Sequence, residues 1–276
     1  MTKAVLCDAN KCIGCRGCQA ACKQWNENDE FIPIEENGVK SVNLGSYENP
    51  PQLSARTWTK IRFTELEDAG KLHWVFTKLQ CMHCEYPACV AACPVGALEK
   101  TADGPVVYDD SKCFGCRYCM VACPFGVPTF EWDEPLPWIR KCTFCADRLD
   151  AGLEPACVKT CPTGALKLGE REELITEARE RIAAQPHKYV NHIYGEKEVG
   201  GTSWLYLSPV PFEKLGLPTL GSEPVTVDVE RAMSAVPPVL VGVAAAMASV
   251  YWLIQRRQKM SQAKADEEEE KEEVTE

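Results

Sequence analysis

Sixteen of the seventeen cysteines in this chain fall into four groups of four whose internal steps are nearly the same. The first group is Cys12-x2-Cys15-x2-Cys18-x3-Cys22, and the third is Cys113-x2-Cys116-x2-Cys119-x3-Cys123-Pro124. Between them lies Cys81-x2-Cys84-x4-Cys89-x3-Cys93-Pro94, and after them Cys142-x2-Cys145-x11-Cys157-x3-Cys161-Pro162. The latter two differ only in a longer step to the third cysteine. Cys7 alone stands outside the pattern and reads as a small core residue.

Three cysteines on a tight loop wrap one 4Fe-4S cubane, while a fourth, one helical turn further on, points away and ligates a different cluster. Clusters therefore come in pairs, although spacing alone leaves open which fourth cysteine serves which cubane. The proline after the fourth cysteine stops the short helix, and in CPVGAL and CPTGAL a glycine then allows the turn into a strand. Ala97–Lys100 and Pro105–Asp109 read as a hairpin around Ala102-Asp103-Gly104. Ala4–Asp8 and Ala165–Leu168 read as the equivalent strands of a second unit, so the repeat extends beyond the cysteines.

The rival of another class is a membrane-anchored structural zinc protein. Structural zinc takes four ligands, usually as two separated Cys-x2-Cys pairs, and requires neither the triple run nor the following Cys-Pro. A disulfide framework has no use for repeated triplets, the cysteine count is odd, and Met1–Cys7 lacks the apolar core of a secretory signal. The net charge of -10 argues against a nucleic-acid partner. Much of it sits in DEEEEKEE, Asp266–Glu273, expected to be part of a disordered tail over 256–276.

No nucleotide-binding Gly-x-Gly-x-x-Gly, phosphate loop or His-Glu-x-x-His run is present, and Val199-Gly200-Gly201-Thr202 reads as a turn. Four clusters without a place for substrate chemistry describe a relay: the chain conducts electrons, and its partners catalyse. Arg16, Lys23, Arg117, Lys141, Arg148, Lys159 and His83 lie near ligands and are candidates for tuning the clusters, although solvation of a charged surface is the ordinary role of such residues.

Residues 23–80 form an insertion with Gly38, Gly45, Pro50, Pro51 and a strand over Thr57–Phe63. An amphipathic helix is expected over 170–184, with Leu174, Ile175, Ala178 and Ile182 on its apolar stripe. Pro237–Ile254 is uncharged for eighteen residues, which at ~1.5 Å per residue gives ~27 Å, enough for one membrane-spanning helix. Pro237 and Pro238 suit its first turn, and Tyr251 and Trp252 its far interface. Arg256, Arg257, Lys259 and Lys264 follow it, so the C-terminus is expected in the cytoplasm and the cluster domain in the periplasm, exported folded alongside a partner that carries a signal.

The chain resembles the iron-sulfur subunits of respiratory, membrane-bound formate dehydrogenases, within the four-cluster ferredoxin family of molybdopterin oxidoreductases. Beyond the cysteines, the resemblance rests on CIGCRGCQAACKQWN, NPPQLSARTWTKIRF, CMHCEYPAC, KCTFCADRLDAGLEPACVKTCPTGA and YGEKEVGGT. It implies an α+β fold of two nested bacterial-ferredoxin-like modules with insertions, plus one C-terminal transmembrane helix. The outer module would take 1–22 and 130–170, the inner one 81–129, with an amphipathic helix and partner-contact extension over 171–235 and the transmembrane helix at 236–255. By the same resemblance Cys12, Cys15, Cys18 and Cys161 bind one cluster, and Cys22, Cys142, Cys145 and Cys157 a second. Cys81, Cys84, Cys89 and Cys123 bind a third, and Cys93, Cys113, Cys116 and Cys119 a fourth. The implied partners are a molybdenum or tungsten pterin subunit that oxidises formate, a membrane cytochrome b that passes electrons to quinone, and membrane lipid. The same subunit type serving a hydrogenase or a polysulfide or sulfoxide reductase is the nearest alternative.

Overall fold

Lys3–Asp8 (β1) has strictly alternating surroundings, and that alternation organises the part of the chain that carries the cysteines. The computed structural model describes residues 2–28, 47–68, 70–132, 134–135 and 137–273, and the chain divides into two units, Met1–Thr226 and Val227–Glu276. In the first unit β1 is followed by α1 (Gly17–Trp25), the long hairpin β2 (Lys60–Asp68) and β3 (Lys71–Leu79), and α2 (Ala88–Ala91). Then come β4 (Leu98–Lys100), β5 (Val106–Tyr108), α3 (Tyr118–Ala122), β6 (Thr129–Phe130) and β7 (Ile139–Arg140). The remainder is α4 (Ala146–Asp150), α5 (Ala156–Lys159), β8 (Leu166–Glu170), α6 (Arg171–Ala184) and β9 (Trp204–Leu207).

Strand β1 is central in a three-stranded sheet, antiparallel to β8 with Val5 opposite Leu168, and parallel to β9 with Val5 opposite Trp204. Successive side chains of a strand point to opposite faces. Ala4, Leu6, Leu205 and Leu207 pack on one face against Leu174, Ile175, Ala178 and Ile182, the stripe expected for α6. Val5, Cys7, Trp204 and Tyr206 face the other way, into a core shared with Cys18, Cys157 and Phe144. The sheet is thus a wall with a helix on one side and cysteine loops on the other. The buried Asp8 carboxylate ties α6 to it, accepting from Arg181 Nη1 at 3.0 Å and from the Tyr189 hydroxyl at 2.9 Å.

The two strands expected around Ala102-Asp103-Gly104 are β4 and β5, paired antiparallel with Leu98 opposite Tyr108. The insertion strand expected over Thr57–Phe63 begins at Lys60 and runs to Asp68, since Thr57 closes a separate bridge with Ser54. Its partner β3 and the strand β9 were not among the expected strands: β9, Trp-Leu-Tyr-Leu, is buried at every residue and shows no apolar–polar alternation. Gly38 and Gly45 lie outside the described residues.

The second unit is α7 (Thr226–Glu273). Ser234–Gln262 within it, 29 residues that include an 18-residue stretch of mean hydropathy 1.7, is long and apolar enough to cross a membrane. Pro237 and Pro238 do not occupy the first turn as expected but lie inside the helix, which starts earlier, at Thr226. The tail also departs from expectation, because the helix continues to Glu273 through the acidic run. Glutamate, lysine and alanine are good helix formers, and propagation from an existing helix needs no new nucleus.

Candidate cluster-binding site

All four Cys-x2-Cys loops make the same backbone turn. The residue before the second cysteine is left-handed in each: Gly14 at φ +67°, His83 at +47°, Gly115 at +78° and Phe144 at +62°. Glycine adopts this conformation freely, whereas any side chain with a Cβ is strained there. Gly14 also needs to be bare, because a Cβ would lie 2.9 Å from the Phe76 ring. The loops that carry His83 and Phe144 accept the strain because these two side chains fill the interior, both almost completely buried and packed edge to face at 5.0 Å.

The two loops with glycine turn outward and are built alike. Gly14 packs on Phe76 and Gly115 on Phe130, while Arg16 lies over Phe63 at 4.8 Å and Arg117 over Phe130 at 5.4 Å. Both arginines are themselves left-handed and precede the helices α1 and α3 that carry the later cysteines.

The thiols fall into groups that act on one another. Burial is the largest cause of the raised pKa of each shifted thiol, and neighbouring cysteines add to it. Cys12 is raised further by Cys161 and Cys15, and Cys18, pushed up to about 12, by Cys157, Cys12 and Cys15. Cys22, also pushed up to about 12, answers to Cys157 and Cys145, and Cys142 to Cys22, Cys81 and Cys157. Cys84 is raised by Cys81, Cys123 and Cys89, and Cys89 by Cys81, Cys123 and Cys119. Cys119, pushed up to about 11, feels Cys113, Cys116 and Cys93. Thiols this crowded resist ionisation on their own, and bound iron removes that penalty, so the donor set fits a thiolate-ligated cluster. Among the described residues no three His, Cys, Asp or Glu side chains are gathered tightly enough to hold a single ion.

Hydrogen-bond donors already point at several sulfurs. The Ala97 backbone N–H reaches Cys93 Sγ at 3.2 Å, that of Phe144 reaches Cys142 Sγ at 3.4 Å, and Asn26 Nδ2 reaches Cys22 Sγ at 3.7 Å. Such donors spread thiolate charge and favour the more reduced state of a cluster.

Of the charged residues near ligands in sequence, few enter the interior. Arg16 and Arg117 stack on aromatic rings, Arg148 lies 4.2 Å over Trp25, and Lys159 is exposed. Lys141 is buried and donates to the Val106 and Cys142 carbonyls, and His83 is buried beside it. Burial, reinforced by Lys141, Lys100 and Lys78, holds the His83 imidazole well below its ordinary pKa.

A further buried cation, not among the expected tuning residues, faces the thiols. Lys78 on β3 is buried, donates to Thr59 Oγ1 at 2.6 Å and Gln80 Oε1 at 3.0 Å, and lies 4.4 Å over the Trp204 ring. Burial opposes its charge, but Cys157, Cys18, Cys142 and Cys22 outweigh that and raise its pKa. It stands three residues before Cys81 yet acts on cysteines remote from it in sequence. The available signal was a lysine in the stretch Trp74–Leu79 where the neighbouring residues are apolar or small. Cys7, for its part, is a buried core residue behind Cys18, its thiol raised well above the ordinary range by burial and then by Cys12.

Two family models, each described as a 4Fe-4S dicluster domain, match residues 11–97 and 72–171. The chain is 42% identical to a protein of Nitratidesulfovibrio vulgaris, over 93% of this chain and 68% of the relative. It is also 42% identical to the iron-sulfur subunit of the nitrate-inducible formate dehydrogenase of Escherichia coli, over 74% of this chain and 67% of that one. The hydrogenase-2 operon protein HybA of Escherichia coli O157:H7 is 37% identical, over 78% and 73%. The protein carries four 4Fe-4S clusters and serves as a non-catalytic electron-transfer subunit of an oxidoreductase complex. With its repeated thiol groups, its two dicluster matches and this extent of identity, the chain belongs to the family of formate dehydrogenase iron-sulfur subunits.

Proposed function

We propose that this chain relays electrons from a formate-oxidising molybdenum or tungsten pterin subunit, through its four clusters in line, to a membrane cytochrome b and quinone. The clusters supply reversible one-electron reduction. The observation that carries the reading is the proximity of thiols remote in sequence, Cys161 acting on Cys12 and Cys123 on Cys84, joined to the 42% identity with a formate dehydrogenase iron-sulfur subunit.

The ligand sets are Cys12, Cys15, Cys18 and Cys161; Cys22, Cys142, Cys145 and Cys157; Cys81, Cys84, Cys89 and Cys123; and Cys93, Cys113, Cys116 and Cys119. They make an outer module (1–22 and 130–170) around an inner one (81–129). Electrostatic proximity between sets supports their order: Cys157 acts on Cys18, Cys81 on Cys142, and Cys119 on Cys89. Each link joins one set to the next in the order just given. Both ends carry exposed apolar side chains suited to partners: Ile13, Tyr47 and Trp74 by the first loop, and Phe114, Tyr118 and Trp132 by the third. Lys78, between the first two sets, offsets their negative charge.

In this reading α7 anchors the chain in the bacterial cytoplasmic membrane, in contact with lipid, with the C-terminus in the cytoplasm and the clusters in the periplasm. The cationic residues after the apolar span support that direction. A hydrogenase partner is the second reading, favoured by the 37% identity to HybA.

Four outcomes follow. Mass spectrometry after mild detergent extraction recovers a large pterin-binding subunit of formate dehydrogenase type; recovery of a hydrogenase large subunit selects the second reading. Protease added to intact spheroplasts digests the cluster domain, and full protection reverses the orientation. Cys12→Ser and Cys161→Ser each abolish the same reduced-cluster paramagnetic signal, whereas Cys22→Ser abolishes another; loss of one common signal in Cys12→Ser and Cys22→Ser contradicts the nesting. Lys78→Met lowers the potentials of the two clusters nearest it by tens of millivolts, as loss of a unit charge within about 10 Å gives at an effective dielectric near 20. Unchanged potentials in a redox titration count against that role.

A further inference from the structure

A buried polar hydrogen that no protein atom accepts needs an explanation, and an acceptor outside the polypeptide, water or a bound group, is one. Among the described residues, His83 Nε2 and Trp204 Nε1 are both buried without a hydrogen-bond partner; Trp204 lies in the core with Cys18, Cys157 and Phe144, and His83 packs on that core through Phe144. His83 is 0% exposed and Trp204 1%. The His83 Nδ1 accepts from the Val106 backbone N–H at 2.8 Å, so that nitrogen carries the lone pair, the ring is neutral and the proton is on Nε2. An indole N–H is always a donor. Both groups therefore present a hydrogen to the interior.

The two donors pack against one ring. Phe144, between Cys142 and Cys145, meets His83 edge to face at 5.0 Å and Trp204 at 5.9 Å. His83 itself lies between Cys81 and Cys84, in the left-handed turn that glycine occupies in the outward-facing loops. Trp204 shares its packed core with Cys18 and Cys157. The strained backbone at His83 thus carries an N–H donor into the interior, against the ring of Phe144 from the Cys142–Cys145 loop. Two lysine heads already serve other acceptors nearby: Lys100 Nζ reaches the His83 carbonyl at 3.0 Å, and Lys78 Nζ is held by Thr59 and Gln80.

We propose that His83 Nε2–H and Trp204 Nε1–H each donate a hydrogen bond to a sulfur of a 4Fe-4S cluster, as positioning residues that favour its reduced, more negative state. The acceptor for His83 belongs to the cluster on the Cys81–Cys84 loop or to the one on the Cys142–Cys145 loop. That for Trp204 belongs to a cluster ligated by Cys18 or Cys157. The inference rests on the ligand sets given under Proposed function.

The test uses the full complex, purified anaerobically from cells grown with nitrogen-15 histidine. Iron is counted first: the four clusters of this chain are expected to contribute about sixteen atoms, to which the haem iron of the cytochrome b partner is added. Pulsed paramagnetic resonance of the reduced complex is expected to detect a histidine nitrogen coupled to one of the middle clusters, and the signal that carries the coupling identifies which. The coupling should vanish in His83→Phe and persist in His73→Gln, His187→Gln and His192→Gln. The potential of that cluster should fall in His83→Phe and recover in His83→Gln, which keeps a donor for sulfur and an acceptor for Val106. In Trp204→Phe the potential of a cluster on the Cys18 or Cys157 side should fall in the same way. Full iron with no histidine coupling in the wild-type complex overturns the role of His83, even if His83→Phe fails to assemble. Full iron with unmoved potentials in Trp204→Phe overturns that of Trp204. Iron far below sixteen in the wild type removes the cluster reading itself, and the inference with it.

Discussion

Repulsion among ionised thiols in a low-dielectric interior is the constraint on which the rest of this structure depends. Sixteen cysteines that need to become thiolates are packed into one unit, and the groups that face them are those that offset negative charge. Backbone N–H groups at Ala97 and Phe144 reach sulfur directly, and Lys78 is held in the core by Thr59, Gln80 and the face of Trp204. A buried ammonium is costly unless paired. Here the thiols of Cys157, Cys18, Cys142 and Cys22 outweigh the burial, and the ammonium in turn lowers the cost of ionising Cys18 and Cys22. Each partner makes the other tolerable.

The β8-β1-β9 sheet separates this charged region from an ordinary apolar core. One face of β1 and β9 contributes Ala4, Leu6, Leu205 and Leu207 to α6, and the other sends Cys7, Trp204 and Tyr206 toward the cysteine loops. A parallel strand supplied from beyond α6 means that the stretch after the last cysteine is part of the wall that positions the site, rather than an appendage to it. Tyr206 illustrates the coupling, since its hydroxyl donates to the Lys78 carbonyl at 2.9 Å and accepts from Gln80 Nε2 at 2.6 Å.

The repeated turn explains how one motif yields two kinds of loop. In the first and third groups the left-handed position is glycine, the loop faces outward, and an arginine stacks on an aromatic ring beside it. In the second and fourth the same position is His83 or Phe144, and the side chain turns inward to fill the middle of the molecule. Strain at two residues is exchanged for packing where a glycine would leave a void.

Cysteine spacing, the Cys-Pro helix stops and the Leu174–Ile182 stripe were legible because each is a local constraint: three thiols on a tight loop, a ring that cannot continue a helix, a period of 3.6 residues. The apolar span was legible for the same reason, although its helix starts ahead of Pro237 and runs through the acidic tail. The amino-acid order alone therefore determined the kind and number of clusters, the hairpin from Leu98 to Tyr108 and the face of α6. Tertiary structure decided which thiols lie together, that Lys78 rather than the surface arginines sits among them, and that His83 and Phe144 meet in the interior. Charge compensation and ring packing act through space between residues remote in the chain, and no local period records them.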